Sequence, residues 1–158
     1  MNIFALDNDP EKAAQFLGDK HIGKMLLESV QLLCTALHSI NYSKPIPYKP
    51  YNKNGRFVRW LLLSEENINW LVNHAKALAN EYRFRFGKEH KSEQALKQII
   101  PLDLNIFKRI ERTQFAICEM PISCYSKLGI VESYRNYYRE CKKHLHIYKH
   151  GRNKPNWL

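Results

Sequence analysis

The side chains best suited to chemistry fall in one run, Asp19-Lys20-His21-Ile22-Gly23-Lys24-Met25-Leu26-Leu27-Glu28-Ser29-Val30-Gln31. At the helical period His21, Lys24, Glu28 and Gln31 share one narrow stripe, while Ile22, Met25, Leu26, Val30, Leu33 and Leu37 cover most of the remaining circumference. A helix so largely apolar is expected to be mostly buried. Ionisable groups on it then need partners or a polar cleft. Two readings stay open. In the first, Lys24 and Glu28 form an ordinary i,i+4 pair on a wet face, contributing about 0.2 to 0.5 kcal/mol. In the second, the stripe floors a pocket in which Glu28 acts as general base or stabilises an oxocarbenium ion at a glycosidic carbon, with His21 and Lys24 as partners. The same trio can also hold a phosphate and a base without any chemistry.

A second polar cluster lies at 81–92, Glu-Tyr-Arg-Phe-Arg-Phe-Gly-Lys-Glu-His-Lys-Ser. Arg83, Arg85, Lys88, His90 and Lys91 make it the densest positive patch of the chain. Cations after a helix C-terminus complement its dipole, but so many together suggest phosphate binding, to which Lys20, Gln31 and Arg135 are candidate contributors. The expectation is that this patch and the stripe share one hollow.

The elements that must position these groups are helical. Asp9 and Pro10 supply an N-cap and a first-turn proline, and Gly18 and Gly23 predict a kink or break near Gly18, with room for a close approach by another backbone. A loop rich in Pro, Asn, Lys and Tyr spans 41–55, and its tyrosines can stack on bases. A short helix over 56–63 and a long one capped by Ser64 and ended by Gly87 follow, then a short one capped by Ser92 and stopped by Pro101. Leu104, Phe107, Ile110 and Phe115 fit a helix, whereas Pro121 and Gly129 argue for loop. A last long helix is predicted from Val131 to His150, with Val131, Tyr134, Tyr138, Cys141, Leu145 and Tyr148 inward, and Trp157 tucked onto the body. The sum is an all-α, compact single-domain bundle of three long helices over residues 1–158, with a short extended segment at 2–6 and the first two long helices antiparallel.

Bulk composition fits that reading. A chain of 158 residues, 44% hydrophobic and 25% charged, can bury a core without disulfides or metal. The net charge of +10 favours a polyanionic partner, nucleic acid first and DNA before RNA, or a nucleotide. Cys34, Cys118, Cys124 and Cys141 form no zinc-like spacing and suit reduced, buried thiols in a cytoplasm. No run of 18 apolar residues occurs, and Met1 to Leu6 lack the pattern of a signal peptide. His144, His146 and His150 lack a carboxylate at ligand spacing, no Walker-type or GxGxxG loop is present, and neither metal nor cofactor is implied.

Across nearly the whole chain, Asn2-Ile3-Phe4-x-Leu6-Asp7, Asp19-Lys20-His21-x-x-Lys24-Met25, Glu28, Gln31, Glu81-Tyr82, Arg85-x-Gly87-Lys88-x-His90-Lys91-Ser92, Phe115-Ala116 and Tyr134-Arg135-Asn136-Tyr137-Tyr138 resemble a family of small tailed-phage proteins. That resemblance implies a phage-encoded protein acting in the host cytoplasm, with those polar residues as its site. The first 90 or so residues are also similar to the pyrimidine-dimer DNA glycosylases, which are compact, basic and helical and carry a Gln-x-Leu element, matched by Gln15-Phe16-Leu17. This second likeness implies base excision by an N-terminal amine beside a helix glutamate. The chain differs in having the bulky Asn2 after Met1 and in placing its glutamate, Glu28, further from Gln15.

Overall fold

The computed structural model describes residues 1–100 and 111–158. The expectations on Leu104, Phe107 and Ile110 lie outside the described residues. The fold is all-α: α1 (Pro10–Gln15), α2 (Asp19–Ser39), α3 (Arg56–Leu62), α4 (Glu65–Phe86), α5 (Lys91–Ile99) and α6 (Ile130–Cys141), with no strand among the described residues. Residues 111–129 are irregular apart from a 3-10 turn at Ile122–Cys124.

Asp9 caps α1 by accepting from the amides of Glu11 (2.8 Å) and Lys12 (3.0 Å), and Pro10 occupies the first turn, where no amide donor is needed. The break falls at Gly18, whose backbone is extended. A Cβ there would stand 1.8 Å from the carbonyl oxygen of Leu145, so only glycine admits the crossing chain. At Gly23 the close neighbours are side chains, Tyr82 and His90. Ser64 caps α4 through the Glu66 amide, and Gly87 ends that helix in the left-handed conformation at φ 65°.

Helices α2 and α4 form the central pair and run antiparallel. Asp19, at the start of α2, meets Arg85, at the end of α4, and one turn further along Gly23 meets Tyr82. Ile22, Met25, Leu26, Val30, Leu33 and Leu37 are all buried, as the pattern of α2 demands. Residues Ile3 to Leu6 also enter the core as a non-helical segment between α2 and α6, turning where the Leu6 amide donates to the Phe4 carbonyl, with Phe4 edge-on to His21 and stacked on Tyr137.

Two helix boundaries differ from expectation. His90, not Ser92, caps α5: its Nδ1 accepts from the Ser92 amide, and Ser92 is buried against the Tyr48 hydroxyl. Helix α6 stops at Cys141 rather than His150, leaving two long helices and one of 12 residues. The periodicity past Cys141 is real, but tertiary hydrogen bonds outweigh it. The Ile147 carbonyl accepts from the Asp19 amide, the Lys149 amide donates to Asp19, and the Tyr148 hydroxyl donates to the Phe16 carbonyl. Cys141 is therefore exposed, whereas Cys34, Cys118 and Cys124 are buried. Trp157 does tuck against the body, edge-on to Phe16 and beneath the Arg135 guanidinium.

Under this crossing lies a buried ionic network. Arg85 donates to Asp19 (3.1 Å), to Glu81 (3.0 Å) and to the carbonyls of Leu17 and Gln15, and Arg152 donates to both oxygens of Glu81, sharing Oε2 with Arg85. Removing the central cation takes the ion partner from Asp19 and leaves Glu81 to Arg152 alone, and breaking such a buried pair typically costs about 3 to 5 kcal/mol. Arg85→Ala is expected to lose stability on that scale in urea denaturation, and Gly18→Ala to destabilise through the clash at Leu145. Either variant unfolding at the wild-type urea midpoint would contradict this account.

Candidate functional site

The stripe on α2 does not present its members alike. Glu28 is half-buried, and its Oε2 accepts from the amide of Asn2 at 2.6 Å while Oε1 lies 3.9 Å from the Lys24 ammonium. The N-terminal segment thus fixes the carboxylate's orientation, and Lys24 and Lys20 project into solvent. Gln31 sits half-buried three residues beyond Glu28, its backbone carbonyl accepting from the Thr35 hydroxyl.

His21 is different. Only 3% exposed, it lies edge-on to Phe4 (4.7 Å between centroids) and stacked on Tyr138 (5.7 Å), which also stacks with His146. Burial, helped by the positive charges of Lys24, Lys142 and His144, pushes its pKa down to about 3. Its Nδ1 is buried without a hydrogen-bond partner. A neutral imidazole enclosed by aromatic rings is poorly placed to exchange protons with a substrate.

The cationic patch divides as well. Arg85 has no exposed side-chain surface, and its donors are engaged by Asp19, Glu81 and two carbonyls, so no phosphate reaches it in this fold. Arg83 pairs with Glu93 at 2.9 Å and bonds Asn80. His90 caps α5 and packs edge-on to Tyr82, with its pKa lowered by burial. Lys88 and Lys91 are exposed. Arg135 binds the Leu6 carbonyl and Asp7, which ties α6 to the N-terminal segment.

The patch and the stripe do not share one hollow. With about 100° of rotation per helical residue, Gly23 points about 140 to 160° away from Glu28 and His21. Gly23 faces Tyr82 and His90, whereas Glu28 faces Asn2 and His21 faces Phe4 and Tyr138. Between these flanks runs an exposed strip of α2 carrying Lys20, Lys24 and Leu27. The two clusters therefore border a common basic surface from opposite sides.

A hollow of about 600 Å³ instead begins at Asn2, the residue that holds Glu28, and at Leu32, one turn further along α2. Its polar walls come from Asn52, Asn54, Arg56, Arg59 and Glu119. The loop preceding α3 is pinned over the second half of α2, since the Tyr51 amide donates to Thr35 and the Tyr48 carbonyl meets His38 Nε2. Sequence reasoning singled out none of these wall residues. The available signal was the Asn-Lys-Asn-Gly-Arg run at 52–56, two amides and a guanidinium on a short turn.

Among the described residues no group of three His, Cys, Asp or Glu side chains is arranged to hold a metal, and no helix is long and apolar enough to cross a membrane. The chain matches no family model, and no curated protein or solved structure matches it.

Buried neutral histidines set a pH dependence. His74, fully enclosed, has its pKa pushed down to about 4 by burial, although its Nδ1 meets the Pro10 carbonyl. In the unfolded chain both imidazoles take up protons below their ordinary value of 6.5, while the folded protein excludes them down to about 3 and 4. Stability is therefore expected to be full above pH 6.5 and to fall with acidification, each histidine contributing about 1.4 kcal/mol per pH unit near pH 5. His21→Phe, which keeps the aromatic stack and removes the orphaned nitrogen, should fold well and flatten the decline by one histidine's share. Urea midpoints between pH 7.5 and 4.5 measure both effects, and an unchanged slope in that variant would contradict the burial of His21.

Proposed function

We propose that the protein acts on nucleic acid, DNA before RNA, as a glycosylase-like enzyme with Glu28 as its carboxylate. The carrying observation is the fixed, half-buried Glu28, oriented by the Asn2 amide beside a polar hollow and next to the exposed strip of Lys20 and Lys24. In this reading Glu28 aligns a water at the anomeric carbon. The N-glycosidic bond breaks as the water oxygen bonds that carbon, and the water's proton passes by way of the carboxylate to the departing base. Lys24 adds positive charge to the strip beside the carboxylate, and Lys20, Lys88 and Lys91 contact backbone phosphates together with it. His21 and Arg85 support the fold beneath. The net charge of +10 agrees with a polyanionic partner, and a phage origin with action in a host cytoplasm is part of the same proposal, resting on the sequence resemblance alone.

The enclosure of His21 and Arg85 also favours a second reading, a protein that sequesters a nucleotide or coats a strand to counter a host system. Removal of those two from the polar set leaves one carboxylate and one lysine for chemistry. Incubation of base-modified DNA separates the readings. Glu28→Gln is expected to bind DNA as wild type does while base release falls about 100-fold or more. No release by the wild type across modified, damaged and normal DNA would leave only the binder. Over a salt series, Lys20→Ala with Lys24→Ala is expected to reduce the slope of log affinity against log salt by roughly 2. An unchanged slope would remove the α2 strip from the interface.

A further inference from the structure

We infer that the hollow between Asn2 and α3 is a binding site for one nucleoside 5′-monophosphate unit, taken as a free nucleotide or as a nucleotide displaced from a strand. The inference rests on the nucleic-acid reading and names the place where the reacting unit sits. Three observations carry it.

The first is size and shape. At about 600 Å³ the hollow lies within the roughly 300 to 1,000 Å³ of small-ligand sites. Leu32, Phe57 and Val58 back it from the core, and the surface it exposes is mostly polar.

The second is an unengaged guanidinium. Arg56 donates to the Ile117 carbonyl (2.8 Å) and pairs with Glu119 (3.3 Å), so that carboxylate is balanced within the wall. Arg59, one turn along α3 and exposed, has no carboxylate partner among the described residues. A planar fork of donors facing a hollow matches the oxygens of a phosphate.

The third is a pair of amides on a tight turn. Asn52 takes the left-handed conformation (φ 51°), its carbonyl accepts from the Gly55 amide at 2.8 Å, and its side chain packs against Gly55. This tight turn presents Asn52 and Asn54 on the wall. Each carboxamide offers a donor and an acceptor side by side, the combination that reads a base edge. With the phosphate at Arg59 and the base against the amides, the rim at Asn2 brings the sugar toward Glu28.

The test is a titration of the full chain with the four deoxynucleoside 5′-monophosphates, the corresponding nucleosides and inorganic phosphate, followed through the amide resonances of Asn52, Asn54 and Gly55. The expected result is saturable shifts with at least one monophosphate, weakened tenfold or more by Arg59→Ala and by Asn54→Ala and unchanged by Lys154→Ala, an exposed lysine outside the hollow. These exposed substitutions should leave the melting temperature unaltered. No shift with any monophosphate, insensitivity to both substitutions, or inorganic phosphate binding as tightly as every nucleotide would each overturn the assignment. A single-stranded oligonucleotide in a further arm reports whether the unit is taken from a strand: Arg59-dependent shifts with it or with the free nucleotide alone both support the site. Failure of the enzymatic reading is distinguishable. Arg59-dependent binding without base release leaves the site standing and removes the catalysis, whereas release that survives both substitutions removes the site alone.

Discussion

Arg85 is the charge on which the fold turns. Its guanidinium closes three gaps at once: the break between α1 and α2, where it takes the carbonyls of Gln15 and Leu17, the start of α2 at Asp19, and the end of α4 at Glu81. A helix break buried in a protein leaves carbonyls without partners, and a cation with five donors satisfies several of them together. Arg152 and the Lys149 amide then complete the two carboxylates from outside. Helices α2 and α4 are consequently locked end to end at one pole, and the position of every polar group on α2 follows from that lock.

The lock explains why the stripe divides. An α2 fixed at Asp19 against α4 must turn Gly23 toward Tyr82 and His90, which sends His21 under the N-terminal segment and Glu28 to its edge. One periodicity thus yields a core histidine, a positioned carboxylate and solvent-facing lysines. The buried His21 and the fixed Glu28 both depend on the segment Asn2 to Leu6, which packs Phe4 on one and offers an amide to the other.

Much of the helical framework was legible in the sequence because local chemistry decides it. Asp9, Ser64 and Gly87 mark helix ends through caps that need no distant partner, and Gly18 announced both a break and a crossing backbone. What was not legible depended on groups remote in sequence. Residues 142–150 fit a helical period, yet Asp19 and Gly18 draw them out of it. Arg85 looked like one cation among many until its partners at Asp19 and Glu81 were in place. Neither the Asn2 amide on Glu28 nor the wall formed by Asn52, Asn54 and Arg59 has any periodicity to betray it.

The crossing of the Leu145 to Arg152 segment over Gly18 also orders events in time. Its hydrogen bonds close loops of about 130 residues, and long closures form slowly. At synthesis rates of about 5 to 20 residues per second, Arg152 leaves the ribosome roughly 7 to 27 seconds after Asp19. From the emergence of Arg85, 66 residues after Asp19 and about half-way through that interval, Asp19 and Glu81 have only its guanidinium between them. The helical pair waits as a half-clasped hinge, and the molecule is sealed by the strand of chain that arrives last over its glycine.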